Sequence, residues 1–141
     1  MQGPAPEGRF PKAERVRKRL EFLIAQEAGR RATTPHFILL LFARGETGAA
    51  RLGIVASRKV GPAVVRNRAK RLVRQAFRAT RDLWMPGIDL VVIVRRSLED
   101  MKLEHVTREW RAVSSLVHKR SLEARRDHTQ RAAEPSEASA P

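Results

Sequence analysis

A stretch without any acidic residue constrains this chain more than any other feature. Between Glu46 and Asp82 there is no Asp or Glu, whereas residues 51–81 contain ten basic residues. A charged helix is normally stabilised by opposite charges three or four positions apart. Like charges at those spacings destabilise the helix by about 0.2–0.5 kcal/mol per pair. We therefore expect the fold to place these cations at the surface, where an external anion can bind them. The ten are Arg51, Arg58, Lys59, Arg66, Arg68, Lys70, Arg71, Arg74, Arg78 and Arg81.

The second half of this stretch has helical periodicity. Gly61-Pro62 interrupts the chain, and the apolar residues that follow, up to about residue 83, share one side of a helical wheel. They are Val65, Ala69, Leu72, Val73 and Ala76. The opposite side carries Asn67, Lys70, Arg71, Arg74 and Arg78. The pattern predicts an amphipathic helix with a basic ridge, and its excess of Arg over Lys favours bidentate contacts with phosphate.

The remaining segments predict an α+β fold. Helical spacing over residues 12–28 is followed by two apolar runs, 36–43 and 51–57, around a glycine-bearing turn, which indicate an antiparallel hairpin. The β-branched run at 88–94 is typical of an inner strand, and spacing from about 103 to 126 predicts one closing helix. We expect a small two-layer sandwich, a mostly antiparallel sheet with helices packed on it. The predicted order is helix, strand, strand, helix, strand, helix, with room for a short strand at 30–33.

Length and composition predict a single domain. The chain has 141 residues, which is room for one core. Residues 1–11, rich in Pro and Gly, are expected to be a flexible lead-in, residues 12–126 the domain, and residues 127–141 a disordered tail. No cysteine is present, so disulfides and thiolate metal sites are excluded. The apolar runs are far shorter than the ~20 residues of a membrane span and no secretory signal is visible, so we expect a cytoplasmic protein.

The net charge of +14 predicts a polyanionic partner. An anionic membrane is disfavoured because the apolar side of the basic helix consists of small and β-branched residues. It lacks a border of Trp or Leu residues that could insert into a bilayer. An ordinary basic surface remains an alternative. Helix-turn-helix binding to DNA is not expected, because a strand and a Gly-Pro loop precede the basic helix. A ribosomal-type or other structured-RNA-binding protein is the second candidate, and a stand-alone nuclease is discounted for lack of catalytic groups.

Residues 51–78 read RLGIVASRKVGPAVVRNRAKRLVRQAFR. This segment closely resembles the signature of the bacterial ribonuclease P protein component, in which an Arg-Asn-Arg core, here residues 66–68, is followed by further Lys and Arg. The flanking elements occur in the same order as in that family, so the resemblance extends over about residues 12–126.

The resemblance implies a protein cofactor of a ribozyme. In the family, a catalytic RNA with bound Mg²⁺ acts as an endoribonuclease that removes the 5′ leader of precursor tRNA. The implied partners are that RNA and precursor tRNA. Mg²⁺ would be held through the RNA subunit, and no cofactor is expected on the chain. We expect no catalytic residue and no metal ligand here, because the four histidines lack a partner pattern and the signature segment lacks carboxylates.

The resemblance also assigns two binding surfaces. Contact with the catalytic RNA is implied for Arg66, Asn67, Arg68, Lys70, Arg71 and Arg74. A cleft for the single-stranded leader is implied at Phe22, Phe37, Ser57, Arg58, Lys59 and Arg95, next to the strand end at Val94. Two alternatives stay open: Asn67 bonding its own helix terminus, and Phe22 serving as a core residue.

This sequence departs from the family pattern in the cleft. Gln26 stands one turn after Phe22, where a second aromatic residue is common, and Leu40 stands where the family often has Tyr. Aromatic platforms contribute about 1–3 kcal/mol per stacked base, so leader affinity and base preference are expected to differ.

Overall fold

The computed structural model describes residues 15–16, 19–45 and 48–133. Its helices are α1 (Arg19–Ala28), α2 (Ala63–Ala79), α3 (Leu103–Ala112) and α4 (Ser114–Ala133), and its strands are β1 (Arg30–Thr33), β2 (Phe37–Ala43), β3 (Arg51–Val55) and β4 (Ile88–Val94). The strands form one sheet in the order β1-β2-β4-β3. The predicted α+β class and the short strand at 30–33 are confirmed. The predicted lead-in at 1–11 lies outside the described residues, as does the end of the predicted tail at 134–141.

Strand β4 organises the sheet. It pairs antiparallel with β2 and parallel with β3, so the prediction of an inner strand is confirmed. The predicted hairpin between residues 36–43 and 51–57 is wrong, because β4 lies between those two strands. All seven residues of β4 are buried or half-buried. A strand of this kind buries more apolar surface at the centre of the sheet than it would at an edge.

The two faces of the sheet are covered unequally. One face packs against α2, α3 and α4 to form the main core, in which Phe37, Leu90 and Trp110 are inaccessible to solvent. The other face, which we call the open face, has a smaller cluster where Ala25 of α1 meets Leu40 and Val91. Because side chains alternate along each strand, neighbouring residues lie on opposite faces. On the open face Ile38, Val55 and Ile93 are only half-buried, so part of this face remains accessible to solvent.

Helix α1 begins later than its periodicity predicts. Residues 12–14 and 17–18 lie outside the described residues, but Arg15 forms a bridge with Leu52, and the Val16 N–H donates to the Leu52 carbonyl. This segment thus extends the sheet beside β3. Helix α2 begins close to its predicted start, after Gly61, whose φ of 145° favours glycine.

The closing helix is two helices. The chain leaves helical geometry at Val113, where φ is −109° and ψ is 20°, so α3 and α4 pack separately on the core. Residues 127–133, predicted as tail, belong to α4. There Asp127 forms an ion pair with Arg30, and the Arg131 guanidinium lies 4.7 Å from the Phe42 ring centre. Among the described residues, no helix has the length and apolar character needed to cross a bilayer.

Candidate nucleic-acid interface

Helix α2 carries the predicted basic residues on the side away from the core. Ala69, Leu72, Val73 and Ala76 are buried against the sheet, as the periodicity predicts. Asn67 and Arg71 are exposed, whereas Arg66, Lys70 and Arg74 are half-buried. Burial lowers the pKa of Arg74, and the positive charges of Arg15, Arg78 and Arg71 lower it further. The helix therefore concentrates positive potential that an anion would relieve.

A small cavity joins this basic surface to α1. Its volume is about 140 Å³, and Lys70 and Arg74 of α2 line it together with Phe22 of α1. The floor is β3, where Gly53 leaves room for the aromatic ring. A Cβ atom at Gly53 would lie 2.7 Å from Cε1 of Phe22, so only glycine lets the half-buried ring lie this close to the strand.

Beyond α1, the rest of the open face is the surface on which the predicted cleft would lie. Ile38, Val55 and Ile93 are half-buried and form its apolar floor. Because β3 and β4 run parallel, the residues that follow them meet at the same edge. Those residues are exposed: Ser57, Arg58, Lys59 and Arg95. Strand order therefore places four of the six predicted cleft residues near one end of β3 and β4, and Phe22 packs against Gly53 on the same face of β3.

Phe37 does not belong to this cleft. Its side chain is fully buried in the main core, where its ring packs edge-on against Trp110 with 5.6 Å between centres. The adjacent Val94, which pairs with Phe37 across the sheet, is also buried there. Both residues point to the face covered by helices because of the two-residue alternation of a strand. Leu40 does lie on the open face, but α1 covers it completely.

Comparisons with known proteins give the family of this chain. The family model described as Ribonuclease P matches residues 10–118, which is most of the chain. The chain belongs to the ribonuclease P protein family. The ribonuclease P protein component of Syntrophus aciditrophicus is 38% identical over 98 residues, covering 70% of this chain and 82% of the relative. That of Geotalea uraniireducens is 38% identical over 110 residues, covering 78% and 96%.

Solved structures of ribonuclease P proteins have the same fold. The protein from Thermotoga maritima superimposes with a TM-score of 0.63 at 35% identity, covering 71% of this chain and 94% of that one. The protein from Staphylococcus aureus gives 0.64 at 28% identity, covering 74% and 95%. The chain is thus the protein component of a ribonucleoprotein whose other subunit is an RNA, and the endoribonuclease chemistry belongs to that RNA. The ribosomal-type alternative is not favoured.

Arg68 differs from its neighbours in the family's Arg-Asn-Arg core. Its guanidinium donates to the carbonyl oxygens of Leu98 and Met101, at 2.7 and 3.0 Å. These contacts tie α2 to the loop between β4 and α3. Sequence spacing gives no signal for such a contact, because about 30 residues separate the partners. Replacing Arg68 would therefore alter the fold as well as the charge.

Arg51 has acidic partners within this ribonuclease P protein, although the acid-free stretch predicted that its cations would be free to bind an external anion. It pairs with the buried Asp89 of β4 and with Glu21 of α1. The hydrogen bond to Asp89 is the main cause of its raised pKa. Arg44 contacts the same Asp89 carboxylate at 2.8 Å. These acidic partners are distant in sequence, so the spacing rule missed them.

A second network fixes the turn between β1 and β2. Glu109 of α3 accepts hydrogen bonds from the Thr34 hydroxyl and from the backbone N–H of His36, and its other oxygen lies 2.7 Å from Nδ1 of His36. Burial raises the pKa of Glu109, but these hydrogen bonds outweigh it, so the pKa lies below its usual value. Arg95 donates to the Thr34 carbonyl of the same turn. Glu109 therefore holds the turn that Arg95, one of the predicted cleft residues, contacts.

Proposed function

We propose that this chain binds the catalytic RNA through α2 and the 5′ leader of precursor tRNA through the open-face cleft. In this way it assists Mg²⁺-dependent removal of the leader in the cytoplasm, with Mg²⁺ bound through the RNA. One observation carries the proposal: Lys70 and Arg74 of the basic helix line the same cavity as Phe22 of the cleft. The two surfaces adjoin, so one protein can contact both the catalytic RNA and the 5′ leader, which lies next to the scissile bond of precursor tRNA.

The basic helix supports the first half of the proposal. The acid-free sequence leaves Asn67 and Arg71 exposed on a surface already crowded with positive charge. Arginine offers a planar fork that matches phosphate oxygens, and Asn supplies both a donor and an acceptor. A phosphate backbone placed there would remove the repulsion between the cations. Arg66, Lys70 and Arg74 extend the same surface.

The cleft supports the second half. Its floor is apolar, and its rim carries Arg58, Lys59 and Arg95. Single-stranded nucleic acid is generally bound by cations that follow the backbone and by surfaces on which bases stack. Of the two aromatic residues proposed for stacking, only Phe22 lies in the cleft, because Phe37 is in the core. Leader binding should therefore depend on backbone charge more than on base identity.

Reconstitution with single omissions tests the function. Purified protein, a ribonuclease P RNA and labelled precursor tRNA are combined at low Mg²⁺, leaving out each macromolecule in turn. We expect leader removal only when the RNA is present, with stronger substrate binding when the protein is added. Mature tRNA is the matched control, and the protein should not improve its binding. Cleavage by the protein without RNA, or equal improvement for both tRNAs, would refute the proposal.

A further inference from the structure

Helix α1 makes limited apolar contact with the sheet. Among its described side chains only Ala25 is buried, while Leu20, Leu23 and Ile24 are 66%, 43% and 40% exposed. A helix of ten residues is not stable in isolation, and its position depends on tertiary contacts. Besides Ala25, the half-buried Phe22 ring also packs on the sheet, and polar contacts add to these in fixing where α1 lies.

A polar relay reaches α1 from the centre of the sheet. Asp89 is 3% exposed on the open face of β4, and Arg51 lies directly opposite it on β3. Two nitrogens of Arg51 donate to the two oxygens of Asp89, at 2.8 and 2.7 Å. This bidentate contact fixes the plane of the guanidinium. Its Nη2 atom then donates to Oε2 of Glu21 at 2.8 Å.

Positive and negative groups alternate along this relay. Arg44 also donates to Asp89, so two arginines meet two carboxylates in a partly buried site. The side chains of Arg51 and Glu21 are 20% and 29% exposed. An ion pair with this much burial and a pre-oriented partner is screened less by salt than one on the surface. The relay is therefore suited to hold a structural element in place.

Glu21 immediately precedes Phe22 in the first turn of α1. We propose that the Glu21–Arg51–Asp89 relay holds this turn against the sheet, which makes Glu21 a positioning residue that sets where Phe22 faces the leader. The inference rests on the proposed leader contact. It assigns a role to one residue of the acid-free stretch, Arg51, that does not involve RNA.

Two variants of the full-length protein test the relay in the reconstituted holoenzyme. Glu21→Ala removes the carboxylate and raises helix propensity. Glu27→Ala is the matched control, because it removes the same group from an exposed position on the same helix. Arg51→Lys keeps the net charge but replaces the fork with an ammonium group, which cannot reproduce the planar bidentate contact.

The first measurement is amide hydrogen exchange across residues 19–28 in the protein alone. Glu21→Ala and Arg51→Lys should accelerate exchange of the amides of residues 23–26, which donate to the carbonyls of the first turn of α1, by about fivefold or more, a change of roughly one kcal/mol. Glu27→Ala should leave this turn unchanged. Unchanged exchange in Glu21→Ala, or equal acceleration in all three variants, would overturn the relay whatever the protein binds.

The second measurement is the preference for precursor over mature tRNA. We expect both relay variants to lose about fivefold of this preference, and to bind the catalytic RNA with wild-type affinity. Loosened exchange with an unchanged preference would overturn the positioning role. A wild-type holoenzyme without any leader preference would refute the proposed leader contact instead, and the exchange experiment would still decide whether the relay holds α1.

Discussion

Phe22 and Phe37 are the same residue type assigned to the same cleft, but the fold separates them. Phe22 lies half-buried beside Lys70 and Arg74, with its ring against Gly53. Phe37 is buried under α3, in contact with Trp110. Strand alternation decides the position of Phe37, since a shift of one residue in β2 would turn its side chain to the open face, whereas Phe22 is placed by helix α1.

Phe22→Leu should reduce the preference for precursor over mature tRNA and leave stability nearly unchanged. Leucine keeps an apolar contact with β3 but offers no flat ring, so up to about 1–3 kcal/mol of stacking is lost. Leader preference of the holoenzyme and a thermal melt measure the two effects. Phe37→Leu is the control: it should lower stability by about 1–1.5 kcal/mol and keep the preference. The reverse pattern would place Phe37 in the cleft after all.

Gly53→Ala should destabilise the protein through Phe22. The added methyl would lie 2.7 and 2.9 Å from ring atoms of Phe22 and 3.0 Å from Cβ of Val16, so the ring must move, at a cost of about 1–3 kcal/mol. Denaturant melts of Gly53→Ala in the wild-type and Phe22→Ala backgrounds measure the coupling. The penalty should shrink when the ring is absent, and an equal penalty in both backgrounds would contradict the contact.

At the scale of elements, α2 performs two tasks with its two sides. Its small apolar residues pack on the sheet and place β3 and β4 side by side as parallel strands. Its opposite side presents cations to solvent. Helix α3 has a supporting role, because Glu109 holds the β1–β2 turn that Arg95 contacts. The interface therefore depends on two helices of the covered face: α2 presents the cations, and α3 holds the turn that Arg95 contacts.

Arg71→Ala should weaken binding to the catalytic RNA and flatten its salt dependence. Each phosphate contact releases counterions, so losing one should reduce the slope of log K against log salt by about one unit. Binding titrations at several salt concentrations give the slope. Arg126→Ala removes an exposed arginine from α4 and should leave the slope unchanged. Equal effects from both substitutions would indicate general charge attraction.

Glu109→Gln should lower stability at neutral pH by about 1.5–3 kcal/mol, the range for hydrogen bonds to a charged group. Because the folded-state pKa of Glu109 is lowered, its contribution is complete above the ordinary pKa and is lost as the pH falls through the folded value. Melting temperatures of both proteins across acidic pH should converge. A constant gap down to pH 3 would show that the charge of Glu109 is not involved.

At the scale of the whole molecule, charge is the dominant property. A net charge of +14 in 141 residues is a strong self-repulsion that a polyanion relieves. Even so, part of the positive charge is used internally, since Arg30, Arg51 and Arg111 each form an ion pair with a carboxylate. The cations of α2 and the cleft rim are the part best placed to act on RNA.

The protein should lower the Mg²⁺ concentration that the ribozyme needs. Its cations offset phosphate repulsion that Mg²⁺ would otherwise have to screen. Cleavage rates measured over a Mg²⁺ titration, with and without protein, give the midpoint in each case. A holoenzyme with Arg71→Ala and Arg74→Ala should need an intermediate concentration. Identical midpoints with and without wild-type protein would contradict this role.

The sequence by itself determined the features that depend on local patterns of residues. The basic helix and the inner strand at 88–94 follow from periodicity and composition, the chain left room for the short strand at 30–33, and the acid-free stretch combined with the 66–68 motif indicated the family. Partners distant in sequence were decided only by the tertiary structure. These include the insertion of β4 between β2 and β3, the break at Val113, and the pairing of Arg51 with Glu21 and Asp89. Periodicity reports which face of an element is apolar, whereas strand pairing and ion pairs depend on which elements meet, and that is decided by burial over the whole molecule.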